Sequence, residues 1–189
     1  MAERALVIGL GAWDRGDDAA GLVVAARLHD QLEGRARVVS GCSDALAFVA
    51  ELEGAARVVV VDSLRSSDCP AGMLQELDLA RAAPPPQPPR LSGHGDALGA
   101  GWRLARTLGV APPYFRLWGV VGRDFGLGAP LSASVRAALE PLTAAVLGEV
   151  GGSAGEVEPL QRQADGMGEL DVAGRREVEA VVGEELPAR

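Results

Sequence analysis

The run "ARVVVVDSL" constrains this chain more than any other stretch, because Val58, Val59, Val60 and Val61 leave neither face of a strand polar. A strand that is apolar at every position is covered on both faces, as in parallel sheets sandwiched between helices. "RALVIGL", "RARVVS" and "YFRLWGVVG" are further strand patterns, and "GMLQELDL" allows another with imperfect alternation. Helical spacing separates them. Ala19, Leu22, Val23 and Ala26 follow the first strand, "DALAFVAEL" follows the second, and Leu98, Trp102 and Ala105 mark a helix ending at Gly109. In "LSASVRAALEPLTAAVLGEV", Leu131, Val135, Leu139, Leu142 and Val146 share a face, and Pro141 is expected to kink the helix. This alternation predicts an α/β chain, a three-layer α/β/α sandwich around a mostly parallel, roughly five-stranded twisted sheet.

With 189 residues, 48% of them hydrophobic, the chain can bury such a core as one domain over residues 1–150. Beyond it the composition changes. Residues 151–189 hold nine acids and four arginines, so five of the eight net negative charges lie there, and few large apolar residues appear before "VEAVV". This acidic tail is expected to be mobile, with at most one short helix, and to carry no chemistry. "PPPQPP" at 84–89 reads as a stiff extended loop. A net charge of −8 argues against nucleic acid or an anionic membrane as partner, since both call for clustered basic residues. No apolar run approaches the roughly 20 residues that span a bilayer. "MAERALVIG" lacks the long apolar region and cleavage site of a signal peptide and reads as part of the first strand. Cys42 and Cys69 have no metal-like or redox spacing, which points to a cytoplasmic protein with reduced thiols.

The first strand leads into "GLGAWDRGDDAAG", which opens like a phosphate-binding turn. The third glycine of the dinucleotide fingerprint is replaced by Asp14, and Asp14, Asp17 and Asp18 would face a ligand that is already anionic, with only Arg15 opposing them. One aspartate suffices to cap a helix, which leaves the second to be explained. Asp62 closes the valine run and should lie at the carboxyl edge of the sheet, where open α/β sheets bind ligands. If its strand neighbours the first, Asp18 and Asp62 converge, and two carboxylates in one cleft call for a proton or a cation between them. His94, in the small-residue loop "LSGHGD", supplies a nitrogen donor, whereas His29 beside Asp30 reads as a solvated helix face. Two carboxylates and an imidazole suit a borderline divalent ion such as Ni²⁺, Zn²⁺ or Fe²⁺. No nucleophile elbow is present, and neither cysteine has an assured histidine partner.

Taken in order, "VIGLGAWDRGDDAAG", "VVVVDSLRSSDCPAG", "LSGHG" and "LWGVVGRDFGLGAPLSASVRAAL" resemble the motifs of the nickel–iron hydrogenase maturation endopeptidases over residues 5 to about 150. The resemblance implies a phosphorylase/hydrolase-like fold and an enzyme that clips a C-terminal extension from the hydrogenase large-subunit precursor after nickel insertion. It implies that Asp18, Asp62 and His94 contact a metal and serve catalysis, with Asp17 supporting the turn. It further implies that the nickel belongs to the substrate, with zinc or cadmium able to occupy the isolated protein; a monomer is expected, because the substrate must dock over a large surface. Three departures stand out. Ala12 replaces the family's usual asparagine, Ala19 replaces a glycine, and "SGCSD" stands where the family tends to have "DGGT". A non-catalytic metal-handling or scaffolding protein on the same fold, and a small-molecule module at the sheet edge, are the alternatives.

Overall fold

The structure is a computed structural model, and it describes residues 5–82 and 95–151. All of these belong to one unit, Met1–Val157. His94, the proline-rich loop and the acidic tail lie outside the described residues.

Five strands form one sheet: β1 (Ala5–Gly9), β2 (Ala36–Ser40), β3 (Arg57–Arg65), β4 (Leu74–Asp78) and β5 (Tyr114–Gly122). Their order across the sheet is β2-β1-β3-β5-β4. All neighbours are parallel except β4, which runs antiparallel to β5 with Leu74 opposite Val120. The valine run sits at the centre and its side chains alternate between two cores. Val58 and Val60 join Leu6, Ile8, Phe48, Trp102 and Phe115 beneath α2 (Ala45–Glu51) and α3 (Gly95–Thr107). Val59 and Val61 join Leu28, Leu32, Val135, Leu139 and Val146 beneath α1 (Ala20–Gln31) and α4 (Ala133–Gly151). The expected three-layer sandwich is the observed fold.

Local chemistry fixes the helix limits. Asp44 caps α2, its Oδ1 accepting from the backbone N–H of Leu46 and of Ala47, each at 2.9 Å. In α1 the buried face comprises Ala20, Gly21, Leu22, Val24, Ala25 and Leu28. Ala26 is exposed, so the face is turned from the one the sequence spacing suggests, because small residues permit burial on either side. α4 continues through Pro141, whose missing N–H leaves the carbonyl of Ala137 without its helical donor. Both residues are exposed, so water can take that role. Pro141→Ala should therefore raise stability, by up to about 3 kcal/mol; a melting temperature no higher than wild type would contradict this.

The chain passes from β1 out to β2 and then returns across β1 to β3. That reversal opens a crevice outside the carboxyl ends of β1 and β3, the standard ligand position in sheets of this type.

Candidate functional site

Strand β1 ends at Gly9, opposite Val61 of β3. The next β1 backbone N–H, that of Leu10, donates to the carbonyl of Val61 at 2.8 Å and pins the two strand ends together. Asp62 is thus the first β3 residue beyond the end of β1. It is not the end of its own strand: β3 runs on to Arg65, paired with β5, and Asp62 lies opposite Gly119. From Leu10 the chain loops into a short 3-10 turn, Gly16–Ala19, that carries Asp17 and Asp18 into the base of α1. Gly11 (φ +127°) makes this path possible, because a β-carbon there would overlap the carbonyl oxygen of Asp18.

Asp17, Asp18 and Asp62 are 0%, 0% and 2% exposed, and their surroundings differ sharply. Asp17 is saturated. Its Oδ2 accepts from the backbone N–H of Arg123 at 2.8 Å and of Asp124 at 3.1 Å, and its Oδ1 from that of Ser132 at 2.7 Å. Burial alone would raise its carboxyl, but these bonds outweigh burial and hold it below the ordinary carboxylate value. Asp62 accepts one such bond, from the N–H of Ser63 at 2.7 Å. Burial, helped by the neighbouring Asp18, pushes its carboxyl up to about 7 against that bond. Among the described residues, neither carboxylate oxygen of Asp18 has a hydrogen-bond partner.

Helix capping does not account for the acidic pair. Neither the 3-10 turn nor α1 has a side-chain cap, and the donors to Asp17 come from a loop more than 100 residues downstream. A phosphate reading fares no better, since the turn presents buried carboxyl groups where an anion would sit. Two carboxyl groups without thiolate, one with both oxygens unsatisfied, fit a divalent cation of the hard or borderline kind. Asp18 lies near enough to Asp62 to raise the Asp62 carboxyl. No cluster of three potential ligands occurs among the described residues, and His94 lies outside them.

The loop departure at Ala12 also finds a physical account. Ala12 is buried, and backbone bonds do the holding. Its carbonyl accepts from Arg15 N–H at 3.3 Å, that of Arg15 from Asp18 N–H at 3.1 Å, and that of Asp14 from Gly128 N–H at 2.6 Å. Alongside, a cleft of about 400 Å³ opens between Gly11–Asp14 and Ser40–Ser43, with Trp13 exposed on its rim. Cys42 lines this cleft but packs into the core, and burial, with Glu51 and Asp44 adding to it, pushes its thiol up to about 11. It is therefore a protonated packing residue rather than a thiolate ligand. A larger hollow of about 970 Å³, lined by His29, Glu33, Arg37 and Glu53, lies at the opposite edge of the sheet and away from the acidic pair.

No family model and no curated protein sequence matches the chain. Solved structures do. The chain superposes on the hydrogenase maturating endopeptidase HybD from E. coli with a TM-score of 0.64 and 22% identity, covering 76% of this chain and 90% of that one. The fold is that of the hydrogenase maturation proteases. An endopeptidase from Escherichia coli gives a TM-score of 0.67 at 22% identity, over 86% of this chain and 99% of that one. A hydrogenase 2 maturation peptidase from Thaumarchaeota archaeon SCGC_AB-539-E09 gives 0.58 at 25%, over 78% and 98%. On this maturation-protease fold, the partners of Asp17 are what the sequence hides. The three donors come from Arg123, Asp124 and Ser132, and no local spacing links Asp17 to them.

Proposed function

We propose that this chain is an endopeptidase that removes a C-terminal extension from the nickel-loaded large subunit of a nickel–iron hydrogenase, holding the substrate's nickel through Asp18, Asp62 and His94. One observation carries the reading: two buried carboxyl groups lie close at the sheet crevice, and one of them has no hydrogen-bond donor among the described residues. A buried carboxylate without a donor is costly, and a cation offsets that cost directly. The fold shared with named maturation proteases supports the same reading.

The nickel is cargo of the substrate. The protein's part is to keep ligands preorganised and incomplete until the precursor arrives, which suits carboxyl oxygens that take no donor from the described residues. Asp18 and Asp62 hold the ion at the sheet edge, His94 is this chain's third ligand to it, and the polypeptide beside the ion lies across the crevice. Hydrolysis adds water across the scissile amide, its oxygen going to the carbonyl carbon and a proton to the leaving amine. The protein acts as a cytoplasmic monomer, with neither nucleic acid nor membrane as partner. No helix among the described residues is long and apolar enough to cross a membrane.

Nickel-loaded precursor incubated with wild-type protein should shorten on a gel, and His94→Ala should slow that shift at least about 100-fold. Full-rate cleavage by His94→Ala would remove that residue from the mechanism. Stable binding of the precursor with no change in its size would point to a scaffolding role, and clear thermal stabilisation by ATP or NAD to a small-molecule module.

A further inference from the structure

We infer that Asp17 is a positioning residue: its carboxylate clamps the β5–α4 loop against the turn that carries Asp18 and thereby aims Asp18 toward Asp62. The clamp is bidirectional. The side chain accepts three backbone N–H groups of the loop, from Arg123, Asp124 and Ser132, while the N–H of Asp17 itself donates to the carbonyl of Asp124 at 2.7 Å. The N–H of Gly128 returns a bond to Asp14, so the loop and the turn are tied at both ends. Arg123 extends the tie to a third loop, its guanidinium donating to the carbonyls of Ser66 at 3.1 Å and Cys69 at 2.7 Å. Arg65 of β3 stacks over the Phe125 ring of the clamped loop, 3.6 Å from its centroid. Three loops at the carboxyl edge of the sheet are thus tied together through Asp17 and Arg123.

The adjacent aspartates divide the work. Asp18 makes no side-chain hydrogen bond to any of the described residues, so none of them fixes its direction through the carboxylate. Its orientation is set by the backbone of the 3-10 turn, and that backbone is set by Asp17. Without the three bonds the loop is released, three N–H groups seek water, and Asp18 can turn away from the crevice. A displacement near 1 Å at a reacting site costs about 100-fold in rate. This inference uses the proposed function only for its cleavage readout.

Asp17→Asn keeps the shape but turns a donor toward at least one of the three N–H groups. Hydrogen exchange should accelerate at the amides of Arg123, Asp124 and Ser132 by at least about tenfold, while those of Val58–Val61 keep their wild-type protection. With nickel-loaded precursor, kcat should fall about 100-fold with KM within about threefold. Val146→Ala, a core truncation in α4 away from the site, should lower the melting temperature and leave kcat unchanged. Should Asp17→Asn not fold, Ser132→Pro removes one of the three donors and spares the carboxylate, with Ser132→Ala, which keeps that N–H, as its control. Ser132→Pro should lower kcat more than Ser132→Ala, which loses only the hydroxyl that also faces Asp17. Unchanged exchange at the three amides would overturn the inference, as would wild-type kcat in a variant whose loop has loosened. The exchange arm needs neither metal nor precursor. A wild-type protein that cleaves no precursor therefore defeats the proposed function, while exchange still decides on the clamp.

Discussion

At pH 8, Asp62→Asn is expected to stabilise the fold while abolishing cleavage. Asp62 is 2% exposed, it accepts one hydrogen bond, from the N–H of Ser63, and Asp18 is beside it. Burial first, and Asp18 after it, raise its carboxyl from 3.8 to about 7. The native state therefore keeps a proton that the unfolded chain sheds between those values. The sign follows from that: this group costs nothing below about pH 4, erodes stability as pH rises toward 7, and imposes its full cost above 7. A shift of about three units corresponds to roughly 4 kcal/mol as an upper bound. A neutral amide of the same shape removes most of that cost and can donate to the unsatisfied oxygens of Asp18. We expect a gain of about 1–3 kcal/mol at pH 8, which is several degrees in melting temperature for a domain of this size, and little change at pH 5. Calorimetry at the two pH values checks this; equal shifts at both would mean that burial of the charge is not the cause.

The same substitution removes a proposed nickel ligand. Its effect on kcat/KM should exceed the 10–100-fold typical of losing an outer-shell partner. A gain in stability paired with a loss of activity is the signature of a site that stores electrostatic strain for its ligand. Leu139→Ala, by contrast, empties core volume and should lose stability at every pH.

Much of this was legible in the sequence, for identifiable reasons. Val58–Val61 announced a strand covered on both faces, and the spacing of Val135, Leu139, Leu142 and Val146 announced the helix that covers one of them. Asp18 and Asp62 could be paired in advance because topology places the ends of β1 and β3 side by side. What escaped was set by distant partners or by weak periodicity. Asp17 read as a cap or as a support for the turn, yet its donors lie 106 to 115 residues further on, a contact no local pattern encodes. In α1, where alanines populate both faces, spacing could not tell the buried Ala25 from the exposed Ala26. The strand appeared to end at Asp62 because hydrophobicity ends there, whereas pairing with β5 continues to Arg65. The backbone ladder does not require apolar side chains.

Gly21 is a residue whose replacement should damage this framework severely. It stands at the second position of α1, where alanine is intrinsically the better helix former by about 1 kcal/mol. Packing overrules that preference. A β-carbon at Gly21 would overlap the carbonyl oxygens of Leu10 and Val61, both backbone atoms with no side-chain freedom to yield. These are the carbonyls at which β1 and β3 leave the shared part of the sheet, just before the turn to Asp18 and immediately before Asp62. Gly21→Ala must therefore push α1 off the sheet, at a net cost of about 2–4 kcal/mol, or of order 5–15 °C in melting temperature. Gly148 in α4 is the internal contrast, since a β-carbon there meets nothing within 4 Å. Gly148→Ala should stabilise by up to about 1 kcal/mol on helix propensity alone. Because the displaced carbonyls flank both acids, Gly21→Ala should also lose cleavage beyond what its unfolded fraction explains, although it touches neither carboxylate. Wild-type stability in Gly21→Ala would mean that the close approach of helix and strands, and with it the rigid seat of the acidic pair, is not what fixes this site.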